Sequence, residues 1–161
     1  MDTAAGAIFN ATRTHRYMLW RSLSDLTTPG HRLAVCFVGL NPSTADEQHD
    51  DPTVRRCINF ARTWGFAVFY MLNAFAFRAT DPREMKAADD PIGPANSVTL
   101  HTISNHCDLT VACWGNHGTY MNRAAEVLPL LKHPACLGTT KTDQPRHPLY
   151  LSKSTQPRPY P

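Results

Sequence analysis

The sequence has no apolar run long enough to cross a bilayer. A membrane-spanning helix needs roughly 20 consecutive apolar residues, and runs such as LAVCFV at 33–38 are far shorter. The first residues, MDTAAGAIFNATRTHRYMLW, also lack the basic start and apolar block of a secretory signal peptide. These absences predict a cytoplasmic protein with no membrane partner.

The sequence also has little that would hold a metal ion or a cluster. No CxxC pair occurs among its cysteines, which are Cys36, Cys57, Cys107, Cys113 and Cys136. In a cytoplasmic chain this pattern predicts buried, reduced thiols. The histidines show no paired ligand spacing either. We therefore expect no metal and no cofactor, with an iron–sulfur cluster or a zinc site as weaker alternatives.

Charged residues are scarce, and neither sign dominates. They make up 18% of the 161 residues, and 16 Lys+Arg against 13 Asp+Glu give a net charge of +3. This balance permits a polyanionic partner without requiring one. Hydrophobic residues, at 42%, are sufficient for a packed core. The length predicts a single domain over residues 1–161, which we expect to be monomeric.

Apolar runs and helical spacing alternate along the chain. Asp51-Pro52 predicts the start of a helix that Gly65 ends. Other helices are predicted over 96–107 and 119–132, and a loop over 81–96. Buried strands are predicted at 33–38, 66–72, 108–114 and 135–138. Residues 13–23 could form a strand or a short helix, and TTPG at 27–30 predicts a turn.

This alternation predicts an α/β fold, a three-layer α/β/α sandwich around a mostly parallel four-stranded sheet. Ligands bind such sheets beyond the carboxyl ends of the strands. Polar groups follow each predicted strand, in GLNPS at 39–43, at Asn73, in WGNHG at 114–118 and in the C-terminal RHPLYLSKS. Their convergence predicts a binding site at that edge of the sheet.

Four of these segments, in order, resemble the motifs of the uracil-DNA glycosylase superfamily. They are GLNPS (39–43), LNAFAFRA (72–79), CWGNHG (113–118) and HPLYLS (147–152). The whole chain, with GLNPSTAD as its signature, looks like an uncharacterised bacterial and phage domain family within or beside that superfamily. The sequence departs from the superfamily at Ser43 and at Leu149-Tyr150, which leaves the base preference open.

The resemblance implies hydrolysis of the bond between a base and its sugar. Asn41 would orient the attacking water, with Asp46, Asp50 or Asp51 as the base. Asn73 would read the edge of the pyrimidine, and His147 would stabilise the negative charge that leaves with it. Plain turn, capping and loop roles are the alternatives for these residues. The turn residues Gly39, Leu40, Pro42 and Ser43 would line the base pocket, with Phe75 or Phe77 stacking on the base unless these rings belong to the core.

Contacts with DNA are also implied by the resemblance. Leu149, Tyr150 and Leu151 would fill the gap that a flipped nucleotide leaves, unless Leu149 and Leu151 are core residues. Phosphate contacts are expected from Arg78, Ser152, Lys153 and Arg158, although Arg78 could instead pair with Asp81.

The resemblance thus predicts a DNA glycosylase for uracil or a 5-substituted uracil such as 5-hydroxymethyluracil, acting in base excision repair or modified-base removal. Its partner would be DNA that contains a modified or deaminated pyrimidine. A non-catalytic binder of modified bases or nucleotides, and a hydrolase of free nucleosides or nucleotides, are the alternatives on the same fold.

Overall fold

The computed structural model describes residues 4–24 and 32–161, and a mixed sheet of seven strands runs through it. The strands are β1 (Ala5–Phe9), β2 (Arg16–Ser22), β3 (Ala34–Gly39), β4 (Val68–Asn73), β5 (Leu109–Ala112), β6 (Ala135–Cys136) and β7 (Arg158–Pro159). Their spatial order is β1-β2-β4-β3-β5-β6-β7. Strands β4, β3, β5 and β6 run parallel, and the outer strands pair antiparallel.

The α/β class is therefore confirmed, and the four predicted strands are present as the parallel group β4, β3, β5 and β6. The sheet as a whole is not the predicted four-stranded, mostly parallel one, because it has seven strands and is mixed. Residues 13–23 contain β2, and β1 was not predicted. β2 is hard to recognise because it carries two buried arginines, Arg16 and Arg21, which interrupt the apolar pattern of a strand. The predicted turn at 27–30 lies outside the described residues.

The helices are α1 (Pro52–Thr63), α2 (Pro82–Ala87), α3 (Asn96–His106) and α4 (Arg123–Val127). Alternate residues of β3 point to opposite faces of the sheet. Val35 and Phe37 pack in one core with α1, and Cys36 and Val38 pack in another with α3 and α4. The sheet is thus covered by helices on both faces.

The start of α1 is as predicted. The carboxylate of Asp51 accepts a hydrogen bond from the backbone N–H of Val54 at 2.8 Å, and Pro52 occupies the first turn. This cap matters for the site, because it fixes Asp51 at the end of the long loop that follows β3.

Two predictions about the intervening segments are wrong. The predicted loop over 81–96 contains α2, which Asp81 caps by accepting from the N–H of Arg83. The predicted helix over 119–132 is reduced to α4, because Met121 and Asn122 have φ angles of 54° and 57°, which a right-handed helix does not allow. A 3₁₀ turn containing Pro129 follows α4.

The C-terminal segment returns to the sheet. It forms a 3₁₀ turn at Pro148–Tyr150, beside α1, and ends in β7, which pairs with β6. Within residues 4–24 and 32–161, none of the helices has the length and apolar character that a membrane crossing demands.

Candidate active site

A cleft of about 610 Å³ opens beyond the carboxyl ends of β3, β4 and β5. Its walls come from distant parts of the chain. They include Gly39–Ser43 after β3, Asp51 at the start of α1, Asn73 at the end of β4, Trp114–His117 after β5, and His147, Leu149 and Tyr150 near the C-terminus. The cleft falls within the range of roughly 300–1,000 Å³ that small-ligand sites occupy.

The turn after β3 is held by the side chain of Asn41. Its Nδ2 donates to the backbone oxygen of Ala79 at 2.8 Å and to that of Pro42 at 3.1 Å. The Ala79 N–H in turn donates to the oxygen of Pro42 at 2.9 Å. Asn41 Oδ1 has no hydrogen-bond donor among the described residues, and Asn41 lines the cleft. The amide therefore fixes the turn with its nitrogen and leaves its oxygen available.

Gly39 allows β3 and β4 to bring their ends together. A Cβ at this position would lie 2.7 Å from the methyl group of Met71 and 3.0 Å from Asn73 Nδ2. Any side chain at residue 39 would therefore have to displace the Met71 methyl group and would crowd the amide of Asn73. The glycine of the GLNPS motif has a steric role in the site.

Asn73 is 2% exposed and is oriented by a buried cation. Arg16, also 2% exposed, reaches from β2 and donates to Asn73 Oδ1 at 3.2 Å and to the backbone oxygen of Ala45 at 3.0 Å. Burial lowers the pKa of Arg16 to about 10, and the charge of Asp51 opposes that shift. Arg16 thus remains a cation at neutral pH, and it lines the cleft.

Asp51 caps helix α1 and also lines the cleft. It is 8% exposed, and one carboxylate oxygen caps α1 through the Val54 N–H. The other oxygen has no hydrogen-bond partner among the residues that the structure describes, and Asp51 lines the cleft. The capping role and a role in the site are therefore compatible.

His147 is neutral at physiological pH. Burial lowers its pKa, and the nearby charge of Asp51 offsets this only in part. Its Nδ1 accepts from the backbone N–H of Leu149 at 3.3 Å, so the proton of the neutral ring is on Nε2. His147 can therefore donate one hydrogen bond to a ligand without carrying a positive charge.

The 3₁₀ turn that follows His147 forms the rim of the cleft. Tyr150 is 83% exposed and Leu149 is also exposed, so Leu149 is not a core residue. Arg56 of α1 donates to the backbone oxygens of Pro148 and Leu151 and fastens the turn to the helix.

The cleft is not lined by four residues that were predicted for the chemistry or for stacking on the base, namely Asp46, Asp50, Phe75 and Phe77. Asp46 accepts from the N–H groups of Gln48 and His49, and these hydrogen bonds hold its pKa near 2. Phe75 is fully buried, with its ring 5.9 Å from that of Tyr120. Asp46 is thus a turn residue, and Phe75 belongs to the core, where it cannot stack on a base in the cleft.

The residues predicted to contact phosphates are also dispersed. Arg78 donates to the backbone oxygens of Ser43 and Arg13, and its guanidinium lies 4.8 Å from the Phe9 ring centre. It does not pair with Asp81, which binds Arg83 instead. Ser152 bonds Ser154, Lys153 lies against α1, and Arg158 is in β7 at the sheet edge.

Arg16 is not recognisable as a site residue from the sequence, because it lies in residues 13–23, where the pattern does not distinguish a strand from a short helix. Trp114 lies at the end of a predicted strand, where the polar segment WGNHG begins, but the sequence does not indicate a role for it. Its ring NH donates to Gln144 Oε1 at 3.0 Å, and it lines the cleft. Across the described parts of the chain, no group of three or more His, Cys, Asp or Glu side chains could hold a metal ion.

Comparison with known proteins identifies a family but no activity. A family model described as "Protein of unknown function (DUF1643)" matches residues 16–149, which include all the walls of the cleft except Tyr150. No curated protein and no solved structure matches the chain. Membership of the uracil-DNA glycosylase superfamily stays a prediction from the motifs.

Proposed function

The chain belongs to the DUF1643 family, and from the geometry of its cleft we propose that it is a DNA glycosylase. It would hydrolyse the N-glycosidic bond of uracil or of a 5-substituted uracil in DNA. One observation carries the proposal: Asn41, Asn73 and His147, which are far apart in the sequence, line the same cleft together with Asp51. The helices on both faces of the sheet agree with the three-layer fold of the uracil-DNA glycosylase superfamily.

The reaction needs hydrogen-bond donors for the departing base. As the bond between the sugar C1′ and the base N1 breaks, its electron pair moves to the base. Negative charge then accumulates on the carbonyl oxygens of the base. The Nε2–H of His147 and the Nδ2–H of Asn73 are the donors that we assign to this charge. Both belong to side chains whose other polar atoms are already engaged, so they are oriented before the substrate arrives.

The reaction also needs a water molecule directed at C1′. Asp51 and Asn41 each present an oxygen without a donor among the described residues, and both line the cleft. A water that donates to these two acceptors would be oriented with a lone pair toward the sugar. As the water adds to C1′, one of its protons passes to the Asp51 carboxylate.

The rim supplies what a flipped nucleotide requires. Extruding a nucleotide from a duplex costs a few kcal/mol of stacking and pairing. Tyr150 and Leu149 are exposed beside the cleft, where they can enter the gap. Lys153, near Arg56 and Arg62 on α1, provides positive charge for the phosphates on that side.

The 5-position of the base would face the polar turn after β3. Ser43 lines the cleft there, and a hydroxymethyl group needs a polar partner such as a serine hydroxyl. This arrangement favours 5-hydroxymethyluracil beside uracil itself. We further infer that the protein acts as a cytoplasmic monomer in the removal of such bases.

The test is incubation with duplexes that each contain one uracil or one 5-hydroxymethyluracil, followed by alkaline cleavage of abasic sites. We expect strand breaks at the modified position in at least one duplex. No break with any of them contradicts the proposal. Release of base from free deoxyuridine or its monophosphate alone would indicate a nucleoside or nucleotide hydrolase, and a gel shift without release would indicate a binding module.

A further inference from the structure

The buried guanidinium of Arg16 has an unusual set of neighbours. It donates to Asn73 Oδ1 and to the Ala45 oxygen, yet its Nε is buried without a hydrogen-bond partner within the described residues. Leaving a buried donor unpaired is unfavourable, so a purely structural arginine would be expected to have better partners. Its charge lies against the polar end of β4, at the wall of the cleft.

We propose that Arg16 is a specificity-determining residue that fixes the side-chain amide of Asn73 and thereby selects pyrimidines with a carbonyl group at C4. This inference rests on the proposed function, since it concerns how the same cleft chooses its base. Arg16 acts through Asn73 and is a positioning residue.

The argument begins with the two orientations of an amide. An asparagine side chain presents an acceptor on one side and donors on the other, and a rotation of half a turn exchanges them. In the observed orientation Asn73 Oδ1 faces the donors of Arg16. The opposite orientation would place the NH₂ group against a guanidinium, which has donors only. Arg16 therefore holds Asn73 with Nδ2 directed away from β2.

The second step concerns what Nδ2 can meet. No protein acceptor for Asn73 Nδ2 occurs among the described residues, and Asn73 lines the cleft. Uracil and 5-substituted uracils present an acceptor oxygen at C4, whereas cytosine presents an NH₂ group there. The fixed Nδ2 donor of Asn73 would pair with the C4 oxygen of a uracil. With cytosine, it would face the C4 NH₂ group, which is also a donor. The side chain would distinguish the bases because it cannot turn.

The third step is the charge. A cation that donates to Oδ1 polarises the amide, and hydrogen bonds in such a chain strengthen one another. The Nδ2–H then becomes a better donor to an oxygen that gains negative charge as the glycosidic bond breaks. Arg16 would thus raise both the selection for a 4-carbonyl base and the rate at which that base leaves.

Arg21 provides the matched control, because it is a second buried arginine of β2 with a different set of contacts. It forms an ion pair with Asp50 at 2.8 Å and donates to the backbone oxygens of Asp46 and Trp20. It does not contact Asn73 in the described structure. Arg21→Met removes a buried arginine from the same strand and leaves the hydrogen bond between Arg16 and the Asn73 side-chain amide in place.

The binding experiment uses oligonucleotides with a single 2′-fluoroarabino-uridine or 2′-fluoroarabino-cytidine, whose glycosidic bonds resist hydrolysis. We expect the unmodified protein and Arg21→Met to prefer the uridine oligonucleotide by about 10- to 100-fold. Arg16→Met should bring the ratio close to one, with Arg16→Lys in between. Equal binding of both oligonucleotides by the unmodified protein, binding of neither, or an undiminished preference in Arg16→Met overturns the inference.

A second measurement does not depend on a variant of Arg16. The side-chain NH₂ resonances of Asn73, assigned by their loss in Asn73→Ala, should shift on titration with 2′-deoxyuridine and stay in place with 2′-deoxycytidine. Equal shifts with both nucleosides, or none with either, contradict the inference. Failure of the proposed function is distinguishable, since a protein that prefers uridine but never releases a base retains this selectivity without hydrolysis.

Discussion

Two of the walls of the cleft are built in different ways. We call Gly39–Ser43, Asp51 and Asn73 the strand-end wall, and His147–Leu151 the rim wall. The strand-end wall is held by short backbone hydrogen bonds, including Ala74 N–H to Gly39 O at 2.8 Å and Phe75 N–H to Leu40 O at 2.9 Å. The rim wall is fastened mainly by Arg56 and exposes Tyr150 almost completely.

The difference indicates a division of labour. A group that selects a base and aligns water must be held within a fraction of an ångström, which favours a wall made of strand ends. A group that enters a duplex must adapt to the DNA, which favours an exposed turn with few contacts. Changes in the strand-end wall should therefore affect chemistry, and changes in the rim wall beyond His147 should affect the handling of DNA.

The largest effect is expected for Asp51→Asn, in the strand-end wall. Asparagine is as good a helix N-cap as aspartate, so α1 should form normally, while the carboxylate that we propose as the proton acceptor is lost. Excision of uracil from a duplex, measured in single turnover, should slow by about 10²- to 10⁴-fold. Asp46→Asn is the matched control, because Asp46 does not line the cleft. Similar losses in both variants would contradict the assignment.

His147→Ala should have the next largest effect, although His147 is in the rim wall. It removes the donor that we assign to the leaving base, and loss of a comparable donor in other enzymes slows the reaction by roughly 10²- to 10³-fold. Because the contact strengthens as charge develops, the loss should appear in the single-turnover rate more than in substrate binding. A variant that binds DNA poorly but reacts at the normal rate would place His147 outside the chemistry.

How well the sequence anticipated these walls depends on whether a residue's partners are local. The turn from Gly39 to Ser43 and the cap at Asp51 follow from short-range rules, and both were predicted. The role of Arg16 depends on Asn73, which is remote in sequence, and on a strand whose buried charge hides its pattern. The same limit applies to Phe75, because whether it faces the core or the cleft depends on packing against Tyr120.

Tyr150→Ala, in the rim wall, should weaken the extrusion of a nucleotide from duplex DNA without slowing hydrolysis itself. Loss of an aromatic group that stacks on bases costs about 1–3 kcal/mol, so excision from a duplex should fall by roughly 10-fold. Excision from a single strand, where no stacked neighbour has to be displaced, should change little. Tyr150→Phe keeps the ring and serves as the control. An equal loss on single and double strands would argue against a wedge.

Lys153→Ala should have a smaller effect, confined to the affinity for DNA. Removal of one phosphate contact lowers the slope of log K against log salt by about 0.9, and affinity should decrease uniformly across sequences. Arg158→Ala removes the same charge from β7, which does not line the cleft, and should leave the slope unchanged. If both variants reduced the slope equally, the DNA path would have to extend to the edge of the sheet.

The smallest effect is expected from a change in pH. It should lower the local stability of the rim wall and leave that of the strand-end wall unchanged. Burial lowers the pKa of His147 in the folded protein below its ordinary 6.5. The unfolded chain therefore takes up the proton first, so this contribution to stability is complete above about pH 6.5 and is lost as the pH falls below it. Protonation of Nδ1 also opposes the hydrogen bond from the Leu149 N–H. Relative to its intrinsic rate, which itself slows as the pH falls, amide exchange at Leu149 should become faster below about pH 6.5, while the protection of Ala74 and Phe75 should not change. His147→Gln should abolish the difference, and its persistence in that variant would assign the effect to another group.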